Sequence, residues 1–305
     1  MLLASLLFAS MGVCIKLSSE YFNAAELLCY RGIVGIVFMA AMLRIQGQSL
    51  RTPVPGMHIK RSLLGVVSLG AWFYAIAHLP LATAMTLNYM SSIWLAVFLV
   101  AGVWMAPKLR AAGPTLRAQV PLLLTIIAGF AGVVMMLRPT IEQNQGLAGL
   151  VGLLSGIGSA LAYLQILALT RAGEPEGRTV YIFAVISTVS GGLAMAVTGL
   201  SAWDWRGAVW LIPMGLLASL GQLCMTRAFG TGANQRATLM VANLQYSGIV
   251  FSAVYSLLVF GDAIPWLGWA GMATIVVSGI AATVLRDRAV TGTQGLAPGP
   301  QPAPR

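Results

Sequence analysis

SLLGVVSLGAWFYAIAHLPLATAMTLNYMSSIWLAVFLVAGVWMAP, residues 62–107, contains no Asp, Glu, Lys or Arg. As one α-helix it would measure roughly 70 Å, more than twice the hydrocarbon thickness of a bilayer. The stretch must therefore fold back. His78-Leu79-Pro80 supplies the turn, because proline has no N–H with which to continue a helix. Two membrane spans are read from these residues, and the rest of the chain follows suit. Of its 305 residues, 58% are hydrophobic and only 9% charged, against about 25% charged in soluble domains. So few charges cannot coat a soluble globule, which excludes an ordinary cytosolic enzyme, a disordered regulator and a disulfide-stapled secreted module.

Working outward at about 20 apolar residues per crossing, ten spans are expected: 2–18, 24–43, 61–78, 81–104, 119–137, 147–170, 179–200, 207–228, 236–260 and 265–285. The first run starts at Met1 without a basic flank, so it reads as a span rather than a cleaved signal peptide. Alternating the connections between two faces puts fourteen basic residues on one side: Arg44, Arg51, Lys60, Arg61, Lys108, Arg110, Arg117, Arg171, Arg178, Arg227, Arg236, Arg286, Arg288 and Arg305. Lys16, Arg138 and Arg206 fall on the other, and Arg31 lies within the second span. Basic loops stay cytoplasmic, so both termini are expected in the cytoplasm and the protein in the cytoplasmic (inner) membrane. The same distribution explains the net charge of +10 without nucleic acid, since the basic residues are scattered between apolar runs. Cys14, Cys29 and Cys224 lie in apolar runs with no metal-binding spacing and read as packing residues.

The chain also repeats itself. Residues 82–92, ATAMTLNYMSS, match 237–247, ATLMVANLQYS, at Ala, Thr, Met, Asn and Ser. Upstream, Ser68-Leu69-Gly70 matches Ser219-Leu220-Gly221 at nearly the same offset. This lays the third and fourth spans on the eighth and ninth, a unit of five. An odd number of crossings turns the second copy over, as in many secondary transporters. The expected fold class is an all-α membrane protein with ten transmembrane helices in two inverted five-helix repeats. The repeats would occupy 1–140 and 146–288, followed by a disordered cytoplasmic tail over 289–305.

Two five-helix halves in a chain of this length resemble the drug/metabolite transporter superfamily, in its EamA-like branch. The local carriers are VCIKL at 13–17 with Lys16, LCYRG at 28–32 with Arg31, and FGDAIPWLGWAGMATIVVSGI at 260–280. In the last, Asp262 stands where Glu is more usual, and the corresponding acid is missing from VWMAPKL at 103–109. The resemblance implies a central cavity lined mainly by spans one to four and six to nine, and leaves the substrate open.

Polar side chains within spans turn toward protein or a cavity. Asn88 and Ser92 share a helical face, and Asn243 and Ser247 repeat the pair with Tyr246 beside them. The alternative for such groups is interhelical hydrogen bonding, worth on average about 0.6 kcal/mol. Gln165 and Gln222 also lie inside spans, while Trp72, Tyr74, Tyr89 and Trp94 can form flat walls with polar handles. Lys16, near the end of the first span, is the basic candidate for a substrate anion. Arg31 lies too deep to reach the surface and is expected to be structural, with Glu26 as its candidate partner. The substrate-binding set is therefore Lys16, Trp72, Asn88, Tyr89, Ser92, Gln165, Gln222, Asn243, Tyr246 and Ser247. No carboxylate stands in mid-span, so direct proton coupling is not visible. Gly152-x-x-x-Gly156 has close-packing spacing, with a homodimer contact as a second use.

His58 and His78 fall in predicted loops on opposite faces, and no nucleophile motif, metal-ligand set or paired carboxylate is present. An enzyme is not expected, and neither a metal nor a cofactor. The reading is a carrier for a small polar metabolite, an amino acid or related compound, with efflux as the direction. The alternatives are an uptake carrier for nucleoside-like amines such as S-adenosylmethionine, and a membrane scaffold that transports nothing.

Overall fold

The computed structural model describes residues 1–95, 97–98, 124–125, 127–135, 145–230, 241 and 244–294. These residues form helices and connections, with no strand among them. In chain order the helices are α1 (Leu2–Ser18), α2 (Ala24–Ile45), α3 (Pro55–His78), α4 (Leu81–Tyr89), α5 (Gly146–Arg171), α6 (Glu176–Thr198), the short α7 (Trp205–Ala208), α8 (Leu211–Gly230), α9 (Ser247–Leu258) and α10 (Trp266–Gln294). Helical turns also cover 91–95 and 127–135. Among the described residues, five segments are long and apolar enough to cross a membrane: Ala24–Ile45, Pro55–His78, Gly146–Arg171, Glu176–Thr198 and Trp205–Gly230. Shorter apolar helices are Leu2–Ser18, Ser247–Leu258 and Trp266–Ala281.

Local chemistry sets the ends. Asn23 opens α2 with a capping box, its side chain accepting from the N–H groups of Ala25 and Glu26 while Glu26 accepts from the Asn23 N–H. Pro55 starts α3, where its missing N–H is not needed. At the other end Leu79 is extended ahead of Pro80, so the turn between α3 and α4 falls where the apolar stretch required it.

The surface is apolar. Val37, Val67, Leu193, Val197 and Leu258 are largely exposed, as suits side chains facing lipid. Trp203, Trp205, Trp210, Trp266 and Trp269 are exposed at one end of the bundle, in the manner of an interfacial aromatic belt. Inside, small residues let helices approach closely. A Cβ on Gly156 would stand 2.8 Å from the Leu87 carbonyl oxygen and 3.3 Å from that of Asn88, so α5 meets the α4 backbone. Gly152 faces Leu87 in the same seam, and the Gly152/Gly156 pair is thus occupied within the chain. Among the described residues the most extensive pairings are α2 with α6, α3 with α5 and α1 with α8, followed by α2 with α8 and α1 with α9, and α4 packs on both α5 and α9.

Candidate functional site

Where α3, α4, α5, α6 and α8 converge with α1 and the segment before α9, the bundle contains a partly open cavity of about 70 Å³. Its polar lining comprises Arg61, Ser68, Asn88, Ser159, Gln222 and Gln245. Trp72, Tyr89, Tyr163 and Phe183 supply aromatic walls. Lining residues thus come from both halves of the sequence.

Two hydrogen-bonded groups organise the lining. On one side Asn88 donates from Nδ2 to Ser155 Oγ at 3.0 Å and to Ser159 Oγ at 3.1 Å. Ser68 joins them, its hydroxyl 2.8 Å from Ser159 Oγ and 2.7 Å from the Ser155 carbonyl. On another, Gln245 donates from Nε2 to the Tyr163 hydroxyl at 2.7 Å. Gln222 accepts from Arg61 Nη2 at 3.4 Å. Several donors remain without a partner among the described residues: Arg61 Nε and Nη1, Trp72 Nε1 and the Tyr89 hydroxyl. Buried polar groups are normally satisfied, so this concentration marks the cavity as chemically unusual.

Of the expected site residues, Trp72, Asn88, Tyr89 and Gln222 line this cavity. Ser92 and Gln165 are half-buried and outside the lining. Tyr246 is buried away from it against Gly279, and Ser247 donates back to the Leu244 carbonyl at 2.7 Å. Asn243 lies outside the described residues. Lys16 stands at the end of α1, 3.3 Å from Asp262 Oδ2 and 3.3 Å from the Leu79 carbonyl. Glu26 and Arg31 do not pair with each other. Glu26 is fully buried and accepts from the Ser201 N–H at 2.9 Å, the Ser201 hydroxyl at 2.7 Å and the Asn23 N–H. Arg31 is buried against the Phe183 ring, its guanidinium carbon 5.2 Å from the centroid.

The apolar pattern puts His58 in a loop and Arg61 at the first position of its span, as a cytoplasmic end charge. Instead α3 begins at Pro55, which carries both into a buried helix. The polar face Ser155, Ser159, Tyr163 of the fifth described helix was also missed, although its four-residue spacing was a readable signal.

Each end of the bundle is held by polar contacts. At one, Glu26–Ser201 and Lys16–Asp262 join α2 to the chain after α6 and α1 to the chain after α9. At the other, Glu174, in the connection between α5 and α6, accepts from Thr52 at 2.9 Å and from Arg178 at 3.2 Å. His58 Nε2 lies 3.1 Å from the same carboxylate. Burial alone would raise the Glu174 carboxyl, but His58, Thr52 and Arg178 together hold it below its ordinary value. A depressed carboxylate contributes stability that is full above its unfolded value of 4.5 and lost as pH falls through the lower folded one. Glu174→Gln is therefore expected to cost about 2 kcal/mol at neutral pH and to flatten the acid limb of stability. Thermal unfolding of both proteins against pH checks this.

An apolar-coated bundle of membrane-length helices defines a multi-pass membrane protein. No family model matches the chain. It is 30% identical over 281 residues to the pseudopaline exporter CntI of Pseudomonas aeruginosa, covering 92% of this chain and 93% of that protein. It is 25% identical to an uncharacterized transporter of Helicobacter pylori over 92% of this chain and 91% of that protein. With a riboflavin transporter of Vibrio cholerae it shares 25% identity over 91% of this chain and 89% of that one. A solved crystal structure superposes with a TM-score of 0.63 at 20% identity, over 94% of this chain and 96% of its own, which supports the fold alone. The chain belongs to the family of membrane transporters that includes the pseudopaline exporter.

Proposed function

We propose that the chain is a secondary transporter that carries a small polar metabolite, an amino acid or related compound, outward across the cytoplasmic membrane by alternating access. The reading includes ten spans in two inverted repeats of the EamA-like kind, with both termini cytoplasmic. The observation that carries it is a cavity whose amide, hydroxyl and guanidinium groups come from both halves of the chain, in a bundle tied by polar contacts at each end. Parting one set while keeping the other would open the cavity to one face at a time.

The helix pairings favour the repeat. Exchanging the first five spans with the second five converts the α3–α5 pairing into the α8–α1 pairing and returns α2–α6 and α4–α9 to themselves. Regular helix is also interrupted at Met90 and at Gln245, the ninth residue in each of the two matching segments. Trp72, Asn88, Tyr89 and Gln222 are the proposed substrate contacts, with Lys16 at the mouth. The pseudopaline exporter among the relatives favours efflux. The riboflavin transporters and the aromatic walls favour a second reading, a carrier for a solute with a flat ring, such as a nucleoside-like compound.

The test compares metabolites in medium and cells with and without the intact protein. The reading expects one solute class to move outward with the protein. Accumulation of a solute inside would replace efflux by uptake. No shift in either compartment would favour a scaffold.

A further inference from the structure

One cation lines the cavity and a second lies close behind its wall, and among the described residues no carboxylate balances either. Arg61 and Arg31 are 2% and 4% exposed, and their guanidinium carbons lie 3.9 Å and 5.2 Å from the centroid of one ring, Phe183. The shared ring keeps two like charges close together in an apolar interior. Among the described residues, neither arginine forms an ion pair: Glu26 is committed to Asn23 and Ser201, Glu174 to His58, Thr52 and Arg178, and Asp262 to Lys16 and Ser256. Arg31 Nε and Arg61 Nε and Nη1 have no hydrogen-bond partner among the described residues. Burying one unpaired charge is costly, and burying two adjacent ones more so, unless an anion arrives from outside. Gly65 completes the arrangement: a Cβ there would stand 2.9 Å from Phe183 and 3.3 Å from Arg61 Nη1, so only glycine leaves the ring and the guanidinium their positions.

The geometry points to an anion subsite at Arg61, with Arg31 behind the Phe183 ring, that receives a carboxylate of the transported solute. Arg61 lines the cavity and reaches the anion directly, since its free N–H groups can donate charge-assisted hydrogen bonds. Trp72 Nε1, also unpartnered among the described residues, is a further donor on a lining residue, whereas the Tyr89 hydroxyl packs against Gly248 of α9. Arg31 contributes field rather than contact. Gln222 holds the Arg61 fork in place. This subsite names the substrate class within the transport reading, on which its role in transport rests, yet it is a binding property and can be tested without transport.

The experiment is thermal unfolding of the purified full-length protein at fixed pH and ionic strength, in chloride, with added succinate or propionate, with the uncharged succinamide or propionamide, and with inorganic phosphate. Carboxylates are expected to raise the unfolding temperature while their amides do not. Arg61→Gln is expected to weaken the apparent affinity for succinate on the order of tenfold or more, and Arg61→Lys to retain part of it. Without added anion, Arg61→Gln should unfold no lower than the intact protein, because an unpaired buried charge has been removed. A lower unfolding temperature for Arg61→Gln, restored by Arg61→Lys, would make the arginine structural and overturn the proposal. Equal effects of acids and amides, or an undiminished succinate shift in Arg61→Gln, would overturn it too. Stabilisation by phosphate alone would replace a carboxylate site with a phosphate site. If succinate binds as expected while no solute moves in cells, the transport reading falls and the subsite stands. If solutes move but none carries a carboxylate, the subsite falls and transport stands.

Discussion

Replacing Asn88 and Gln222 together by Ala is expected to reduce export at least about tenfold while leaving the protein folded. Both side chains line the cavity, one from α4 and one from α8. The contacts they lose differ in consequence for folding and for transport. Ser155 still donates to the Gly152 carbonyl at 2.6 Å and Ser159 still meets Ser68, so α3 and α5 keep their seam. Interhelical hydrogen bonds of this kind average about 0.6 kcal/mol each, and although Gln222→Ala also removes the partner of Arg61 Nη2, a loss of about 1–3 kcal/mol stays below the about 5–15 kcal/mol that folded proteins hold. A solute desolvated in the cavity would lose two polar partners, each worth about 1–3 kcal/mol when a buried group is left unsatisfied, and a factor of ten requires only about 1.4 kcal/mol. The measurement is initial export rate at equal membrane insertion, alongside thermal unfolding of both proteins. Unchanged export with lowered stability would mean that these residues serve packing alone.

Gly156→Leu is expected to have the largest effect on folding. Its first added carbon would stand 2.8 Å from the Leu87 carbonyl oxygen and 3.3 Å from that of Asn88, and these are backbone atoms that cannot rotate away. Overpacking costs about 1–3 kcal/mol, occasionally more, and a leucine carries three further carbons into the same seam. Because folded proteins hold only about 5–15 kcal/mol in reserve, little folded protein is expected to survive extraction. Gly192→Ala is the matched control. A Cβ there meets nothing within 4 Å, and alanine is favoured over glycine in a helix by about 1 kcal/mol. Gel-filtration recovery and unfolding temperature of the two variants check both expectations.

Much of this architecture was legible in the sequence because hydrocarbon imposes length and apolarity on any span. The turn at Leu79-Pro80 and the limits of the first helix could be read from those constraints alone. The cavity was harder to read. Asn88 and Gln222 announced themselves as amides in apolar runs. Arg61 did not, because a basic residue near a span end reads as a loop charge, and only the start of α3 at Pro55 brings it inside. The pairing of Arg31 with Glu26 failed for a related reason. Proximity along a helix says nothing of Ser201, which reaches Glu26 from 175 residues away. The contacts that define the site connect remote segments, and no local pattern records them.

Access to the cavity from the two faces tests the central claim most directly. Cys14, Cys29 and Cys224 would first be replaced, and Ser159→Cys introduced in the cavity lining. Alternating access predicts that a membrane-impermeant thiol reagent labels this position from either side of the membrane. It further predicts that a cross-link between Glu26→Cys and Ser201→Cys ends labelling from that side and leaves it intact from the other. Labelling from one face only, or labelling that the cross-link does not alter, would contradict the account.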